Sequence, residues 1–178
     1  MRINIYICDE KMKECADGGF NLESEASEEI DRIDLQIISL LQEDSRLSFN
    51  KIAKELGISV GTVCDRIKRL EEKRIIKGYT AVIDPIKVGY SLTAIILIQA
   101  EGKHLVDVEK EAAKMKHVVS VYDITGDFDI AVIVRFKDIF GLNTFVKKLL
   151  AIPYVERTVT NVVLNVVKED FRVRSLKR

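Results

Sequence analysis

The chain has 178 residues, with 28 acidic and 28 basic side chains and a hydrophobic fraction of 47%. This length accommodates two small domains with separate cores. No apolar run approaches the roughly 20 residues that a membrane span needs, and the N-terminus lacks the apolar core and cleavage site of a secretory signal. These features predict a globular protein without a membrane partner, and the neutral total charge argues neither for nor against nucleic acid.

The few cysteines and histidines favour a reducing compartment. Cys8, Cys15 and Cys64 are odd in number and show no C-x-x-C spacing, so they predict neither a disulfide framework nor a zinc site. His104 and His117 are expected at a helix start and before a strand. No nucleophile–base–acid pattern, glycine-rich phosphate loop or metal-ligand spacing stands out. We therefore predict a cytoplasmic protein that is not an enzyme and that has no cofactor or metal.

Residues 1–27 differ in composition from the rest of the chain. The first 29 residues hold eight acidic and three basic side chains, and the segment ends in a polar Glu-Ser-Glu-Ala-Ser run. This composition is typical of a linker, so we predict an acidic N-terminal extension. One interpretation is that synthesis starts at Met12, which the intact mass of the native protein would test.

Residues 28–74 have the apolar spacing of three short helices, within a predicted domain at 28–80. We predict that Ser27 caps the first, with two glutamates in its first turn. Ser48 is the expected cap of the second helix, which ends at Gly57, and Ser59 the expected cap of the third. The third helix has one apolar stripe, formed by Val60, Val63, Ile67 and Leu70. The pattern predicts a helix-turn-helix DNA-binding domain with its motif at about 49–68.

Opposite its apolar stripe, the third helix carries a polar face within a locally basic segment. Gly61 and Thr62 are small, so the helix N-terminus can approach DNA and offer N–H groups to a phosphate. Lys68 and Arg69 offer charge to the DNA backbone, and arginine also pairs with guanine. Asp65 either accepts a hydrogen bond from cytosine N4 or forms a salt bridge with Arg69, and the i, i+4 spacing favours the salt bridge. The predicted contacts with double-stranded DNA are Ser59, Gly61, Thr62, Asp65, Arg66, Lys68 and Arg69. The alternative is a structural three-helix cap with a solvated face.

After the third helix the pattern changes to the two-residue period of strands. Residues 76–83 predict a strand that would make the helical domain winged, followed by a linker at 81–90. Residues 91–170 then predict strands at 92–101, 118–125, 128–136 and 155–167 and helices at 105–115 and 139–150, before a basic tail at 171–178. The βαββαβ order predicts an α+β protein whose second domain is ferredoxin-like, with both helices on one face of an antiparallel sheet.

The sheet face away from these helices needs a partner. We expect it to carry apolar side chains such as Ile95, Leu97, Val132 and Val134, and to join two chains into a homodimer. Dimerisation would set two DNA-binding helices at a spacing matched to two half-sites and would double the local positive charge.

Four stretches resemble the Lrp/AsnC (leucine-responsive regulatory protein, or feast/famine) family of transcription regulators. They are residues 31–42, 52–59, 63–71 and 76–85, and the resemblance covers roughly 28–168. It implies sequence-specific operator binding, an amino-acid effector and assembly into dimers, tetramers or octamers. Two residues depart from the family pattern: Arg74 stands where a glycine is usual, and Asp65 where a basic residue is common.

Residues 125–129 are similar to the family's G-D-Y/F-D signature in the effector domain. Gly126 suits a tight turn, and Asp127 and Asp129, two apart on a strand, would project to one side. Carboxylates would hold the ammonium of an amino acid, while hydroxyl and N–H groups would hold its carboxylate. The predicted effector residues are Tyr122, Asp123, Thr125, Gly126, Asp127, Asp129, Thr158 and Thr160. A capped hairpin with ordinary aspartates is the alternative.

Two other functions remain open at this stage. A sirohaem-decarboxylase-like enzyme shares this pair of domains, but it would need histidine or arginine over a tetrapyrrole, and Arg135 stands alone in mid-strand. An architectural protein would coat DNA with little sequence preference and without an effector. A coloured complex with haem precursors would favour the first, and a footprint confined to few sites would exclude the second.

Overall fold

The computed structural model describes residues 30–173. Within them the chain divides into two compact units, one formed by 30–81 with 170–173 and the other by 82–169. The predicted acidic extension, with Cys8 and Cys15, lies outside the described residues, as do Ser27 and the last five residues of the basic tail.

The first unit contains three helices, α1 (Arg32–Glu43), α2 (Phe49–Leu56) and α3 (Val60–Glu72). The Ser48 and Ser59 side chains accept backbone N–H groups at the starts of α2 and α3, as predicted. Gly57 ends α2 with a φ of 68°, the left-handed conformation that glycine adopts without steric penalty. The predicted start of the first helix is wrong. Its cap is Asp31, whose side chain forms a capping box with Asp34.

The core of the helical unit has an apolar centre to which every helix contributes. Its buried residues are Ile37, Ile52, Ala53, Val63, Ile67 and Leu70. The predicted stripe on α3 is correct for Val63, Ile67 and Leu70. It is wrong for Val60, which is 43% exposed. Val60 is the first residue of α3 and lies outside the set of side chains that pack on this core.

The segment after α3 forms no strand within the described residues, so the prediction of a strand at 76–83 is wrong for the isolated chain. A strand needs a ladder partner, and the apolar alternation alone does not supply one. Arg74 has a φ of 56° at the end of α3, and the Ile76 N–H closes that end on the Leu70 carbonyl. The side chain of Ile76 packs against the helical core, whereas Val82 is 98% exposed.

The second unit has the predicted βαββαβ order. Its elements are β1 (Leu92–Ala100), α4 (Leu105–Lys114), β2 (Val118–Asp123), β3 (Ile130–Phe136), α5 (Ile139–Leu150) and β4 (Val155–Val162), with a 3₁₀ turn before α4. The bounds of α5 match the prediction. The last strand ends earlier than the predicted residue 167, because pairing with β1 begins at Ala94↔Val162.

The four strands form one antiparallel sheet in the order β2-β3-β1-β4. Both helices pack on one face, α4 against β2 and α5 against β3 and β4. The core lies between the helices and this face. Its buried residues are Ala94, Ile96, Ile98, Ala100, Val108, Ala112, Ile130, Val132, Val134, Phe136, Leu142, Phe145 and Leu149.

Strand register decides which residues lie on the other, open face. Val132 and Val134 pair with Ile96 and Ala94, and all four are 0% exposed beneath the helices. The prediction that Val132 and Val134 line the open face is therefore wrong. Ile95 and Leu97 do lie there, opposite Ile133 and Ala131 on β3. Successive residues of one strand face opposite sides, and Val132 and Val134 pair with Ile96 and Ala94, so they could not share a face with Ile95 and Leu97 in this register.

In the part of the chain that the structure describes, no helix is long and apolar enough to cross a membrane.

Candidate nucleic-acid interface and effector site

The outer surface of α3 carries the small and polar residues predicted to meet DNA. Gly61, Asp65 and Lys68 are exposed and lie opposite the buried stripe. A Cβ built on Gly61 would meet only the Ser59 hydroxyl oxygen, at 3.7 Å. The fold therefore has room for a side chain at this position, and glycine leaves the start of the helix open to a close approach.

The cap of α3 satisfies part of its own polar groups. Ser59 Oγ accepts the Thr62 N–H at 3.0 Å and lies 2.8 Å from the Thr62 hydroxyl. The N–H groups of the first turn of a helix have no intrahelical acceptor. Those of Val60 and Gly61 therefore point outward beside a fixed cap, which suits an anion.

Arg66 and Arg69 do not extend freely from α3. Arg66 Nη1 donates to Asp31 at 2.5 Å and to Asp34 at 2.9 Å, and Arg69 Nη2 donates to Asp34 at 2.5 Å. The predicted pair between Asp65 and Arg69 is wrong, because the described residues show Arg69 joined to α1 instead. Lys68, the third cation of α3, is exposed, and its Nζ lies 3.7 Å from Glu72 Oε1 on the same helix.

Asp34 is the acceptor at the centre of this cluster and the one charged side chain that is buried among the described residues. Its Oδ2 also accepts the Asp31 N–H at 3.1 Å, so the carboxylate is well provided with donors. The Asp34 N–H and then the Arg66 side chain hold the pKa of Asp31 below its usual value, and the hydrogen bond from Arg66 to Asp31 raises the pKa of Arg66.

The sequence interpretation missed Asp34, although a signal was present. Two aspartates three residues apart stand at the start of α1, its cap Asp31 and Asp34. α3 has two arginines three residues apart, Arg66 and Arg69. Side chains three apart lie on the same side of a helix. Two such pairs of opposite charge on packed helices indicate an interhelical cluster, whereas considering α3 alone assigns both arginines to DNA.

The predicted effector residues lie around the end of the sheet where β2 turns into β3. Gly126 has a φ of 125°, which fits the predicted tight turn, and Thr125 and Asp127 are exposed beside it. Asp129 lies just before β3 and is partly buried. Its Oδ2 accepts the Ala100 N–H at 2.9 Å, and its N–H donates to the Ile98 carbonyl at 3.0 Å. This carboxylate therefore fixes the hairpin to β1, with one oxygen left for other donors.

The remaining predicted residues are divided between the two faces and edges of the sheet. Tyr122 pairs with Ala131 on the open face, whereas Asp123 pairs with Ile130 on the helix-covered face. Thr158 and Thr160 pair with Ile98 and Ile96, also on the covered face, but on β4 at the opposite edge. Three strand spacings of about 4.8 Å separate β2 from β4, so Tyr122 and Asp123 do not meet the two threonines within one chain.

Arg157 on β4 is a residue of this region that the sequence interpretation missed. Its guanidinium carbon lies 5.6 Å from the ring centroid of Phe128, inside the G-D-F-D signature. Stacking of arginine on an aromatic face stabilises the contact and leaves the N–H edge free to bind. Phe128 in the hairpin thus contacts Arg157 on the edge strand β4. The two residues are far apart in the sequence, so the sequence pattern alone did not indicate the contact.

A carboxylate on α4, the helix that packs on β2, is unusual. Glu109 on α4 has one buried oxygen, Oε1, without a hydrogen-bond partner among the described residues. Burial, and then the nearby negative charge of Asp123, raise the pKa of Glu109. The charge of Asp123 therefore disfavours ionisation of Glu109 near the end of β2.

A capped, exposed third helix in a helix-turn-helix unit, followed in the same chain by a ferredoxin-like unit, defines a two-domain transcription regulator. Family models agree with this class: the AsnC-type helix-turn-helix domain matches residues 30–71, and the Lrp/AsnC ligand binding domain matches residues 93–173. The chain is 50% identical over 145 residues to an uncharacterised HTH-type transcriptional regulator of Pyrococcus furiosus, covering 82% of this chain and 98% of that protein. The protein belongs to the Lrp/AsnC family.

Solved structures of the family have the same architecture. The leucine response regulatory protein LrpA of Mycobacterium tuberculosis aligns with a TM-score of 0.74 and 27% identity, over 80% of this chain and 98% of that one. A transcriptional regulator of Neisseria meningitidis in complex with L-Met aligns with a TM-score of 0.73 and 26% identity, over 80% and 94%. The protein is thus an Lrp/AsnC-type transcriptional regulator that carries a ligand-binding domain.

Proposed function

We propose that this regulator binds specific operators in duplex DNA through the outer face of α3, as a homodimer, and that an amino acid bound at subunit contacts modulates it in the cytoplasm. The observation that carries the DNA part is the exposed, capped N-terminus of α3 with Gly61 on its surface. Its N–H groups would take a phosphate, and Asp65 and Lys68 would meet bases and backbone. In this proposal the chain is a regulator and not an enzyme.

Lys68 provides a direct test of the DNA face. Lys68→Ala removes an exposed cation from α3, while Lys147→Ala removes one from α5 in the other unit. The probe is a duplex that the unmodified protein selects from a random pool, titrated by fluorescence anisotropy at several salt concentrations. We expect the slope of log affinity against log salt to fall by about one per subunit for Lys68→Ala only. Equal behaviour of the two variants would remove α3 from the interface.

Gly61 separates binding from stability. Because a Cβ fits at this position in the free protein, Gly61→Ala should stabilise α3, by up to about 1 kcal/mol. A methyl group there would nevertheless hinder the DNA backbone at the helix N-terminus. A variant that melts at a higher temperature but binds the selected duplex more weakly would support the proposed docking. Unchanged binding would place the DNA elsewhere.

Dimerisation would use the open face of the sheet. Ile95 is 37% exposed there and Leu97, Ala131 and Ile133 surround it, so a second copy of this face would bury a continuous apolar surface. Ile95→Glu should convert dimers or larger assemblies to monomers in analytical ultracentrifugation. Val106→Glu is the matched control, because Val106 is exposed on α4 and lies away from this face. Assemblies that survive Ile95→Glu would contradict this interface.

The division of the effector residues supports ligand binding between subunits. The hairpin group and the β4 threonines lie at different strands of one sheet, so a second chain would bring complementary groups together. Asp127 and the free oxygen of Asp129 suit an ammonium, and Arg157 suits the carboxylate of the same molecule. L-Met is the first probe in a panel of amino acids tested by thermal shift.

Arg157→Gln tests the anionic end of this ligand. The variant should need about tenfold more of the active amino acid to reach the same thermal stabilisation, since the substitution removes one charge-assisted contact. Lys147→Gln serves as control. Stabilisation of the unmodified protein by no amino acid would contradict the effector part of the proposal and leave the DNA part standing.

A further inference from the structure

We infer that Asp34 is a positioning residue for DNA recognition: it fixes Arg66 as an internal clamp and presents Arg69 to a DNA phosphate. This inference rests on the proposed function of α3 and adds a residue that lies on another helix. Asp34 is 0% exposed, so it does not touch DNA itself. It acts through the two guanidinium groups that it binds.

The two arginines differ in what remains of them for a ligand. The Arg66 side chain is 21% exposed and its Nη1 is shared between Asp31 and Asp34. The Arg69 side chain is 42% exposed and contacts Asp34 through Nη2. A guanidinium has five N–H donors in a rigid fork. Arg69 can therefore bind Asp34 on one edge and a phosphate on another, whereas Arg66 is held inside the cluster.

Fixing Arg69 in this way lowers the cost of binding. A free arginine on a helix surface loses side-chain entropy when it binds a phosphate, whereas a side chain already held by a buried carboxylate loses less. The same contact sets the rotation of α3 relative to α1, because Asp34 belongs to α1 and both arginines belong to α3. The Asp34 carboxylate therefore contributes both to the orientation of α3 and to the presentation of Arg69.

Asp34→Asn tests this role because the amide keeps the shape and removes the charge. Affinity is measured for the selected duplex and for a scrambled duplex of equal length and composition, over a range of salt concentrations. Glu55→Gln makes the same change of charge at an exposed position of α2 and serves as control. We expect the ratio of the two affinities to fall about tenfold for Asp34→Asn, with scrambled-duplex binding retained or increased by the released arginines.

A purely structural role would give a different result. Loss of folded protein lowers the affinity for both duplexes by the same factor, so their ratio would stay constant. A constant ratio in folded Asp34→Asn, or an equal change in Glu55→Gln, would overturn the inference.

Single substitutions of the arginines decide the case even if Asp34→Asn does not fold. Each leaves Asp34 with the other arginine as a partner. Arg69→Gln should reduce the slope of log affinity against log salt by about one per subunit, whereas Arg66→Gln should lower the melting temperature and leave the slope unchanged. Equal slopes for the two variants would overturn the inference. Failure of the unmodified protein to bind either duplex would instead contradict the proposed function.

Discussion

The two units of the chain fix their interiors by different means. The sheet unit buries thirteen apolar residues between helices and sheet, and no charged residue of the described chain is buried there. The helical unit buries six apolar residues and adds Asp34, held by two arginines. A packed apolar core tolerates exchange of similar side chains, whereas a buried carboxylate requires particular partners in particular places. The unit that binds DNA is thus the one whose helix geometry depends on charge.

The largest expected effect concerns the apolar side of this comparison. Ile96→Ala should lower the free energy of unfolding of the sheet unit by about 3 kcal/mol, because Ile96 is fully buried and its loss leaves a cavity. Ile95→Ala, one residue away on the open face, should cost much less in the monomeric protein. Urea denaturation at two salt concentrations measures both. A strong salt dependence of either value would contradict a purely apolar core.

The charged side of the comparison is tested at Asp31. Asp31→Ala removes the cap of α1 and one acceptor of Arg66, and should destabilise the helical unit by about 1 kcal/mol at neutral pH. The pKa of Asp31 is lowered in the folded state, so its contribution is present above the usual value of 3.8 and is lost as the pH falls through the folded pKa. Denaturation curves recorded between neutral and acid pH should therefore converge for the variant and the unmodified protein. Parallel curves would contradict this sign.

Arg74 lies at the end of α3, where the backbone conformation is strained. Its φ of 56° is unfavourable for a residue with a Cβ, so Arg74→Gly should stabilise the helical unit by about 0.5 to 1 kcal/mol. Lys54→Gly is the control, because it lies inside α2 and should destabilise the unit by up to about 1 kcal/mol. Thermal unfolding followed by circular dichroism distinguishes the two. Destabilisation by both would show that the arginine side chain outweighs the backbone strain.

Glu109 should show the smallest effect and the opposite dependence on pH. Its pKa is raised above 4.5 in the folded state, so the sheet unit loses stability as the pH rises through 4.5 towards the folded pKa. Glu109→Gln should raise the melting temperature at neutral pH and flatten the pH dependence. Glu111→Gln, at an exposed position of the same helix, is the control. A lower melting temperature for Glu109→Gln would indicate that the carboxylate has a stabilising partner.

The sequence was informative where a local pattern determines the structure. The serine caps, Gly57 and the bounds of α5 follow from capping and periodicity. The positive φ of Arg74 likewise occurs at the position where the chain departs from the family's glycine. Each depends on neighbours within a few residues.

The remaining features depend on contacts between distant residues. The register that turns Val132 and Val134 inwards and the neighbourhood of Arg157 and Phe128 involve separate strands. The Asp34 cluster joins residues more than thirty positions apart along the chain. The strand expected at 76–83 illustrates the same limit, because alternation marks a segment that can pair but does not provide its partner.

Tyr79 gives the helical unit a natural optical reporter. The chain has no tryptophan, and Tyr79 is the tyrosine that the described part of this unit contains. Its hydroxyl donates to Glu71 Oε1 at 2.8 Å in the last turn of α3, and burial together with this carboxylate raises the pKa of Tyr79. In an alkaline titration its phenol should ionise above the usual pKa of 10. Its absorbance would follow detachment of the connecting segment from α3 without any label.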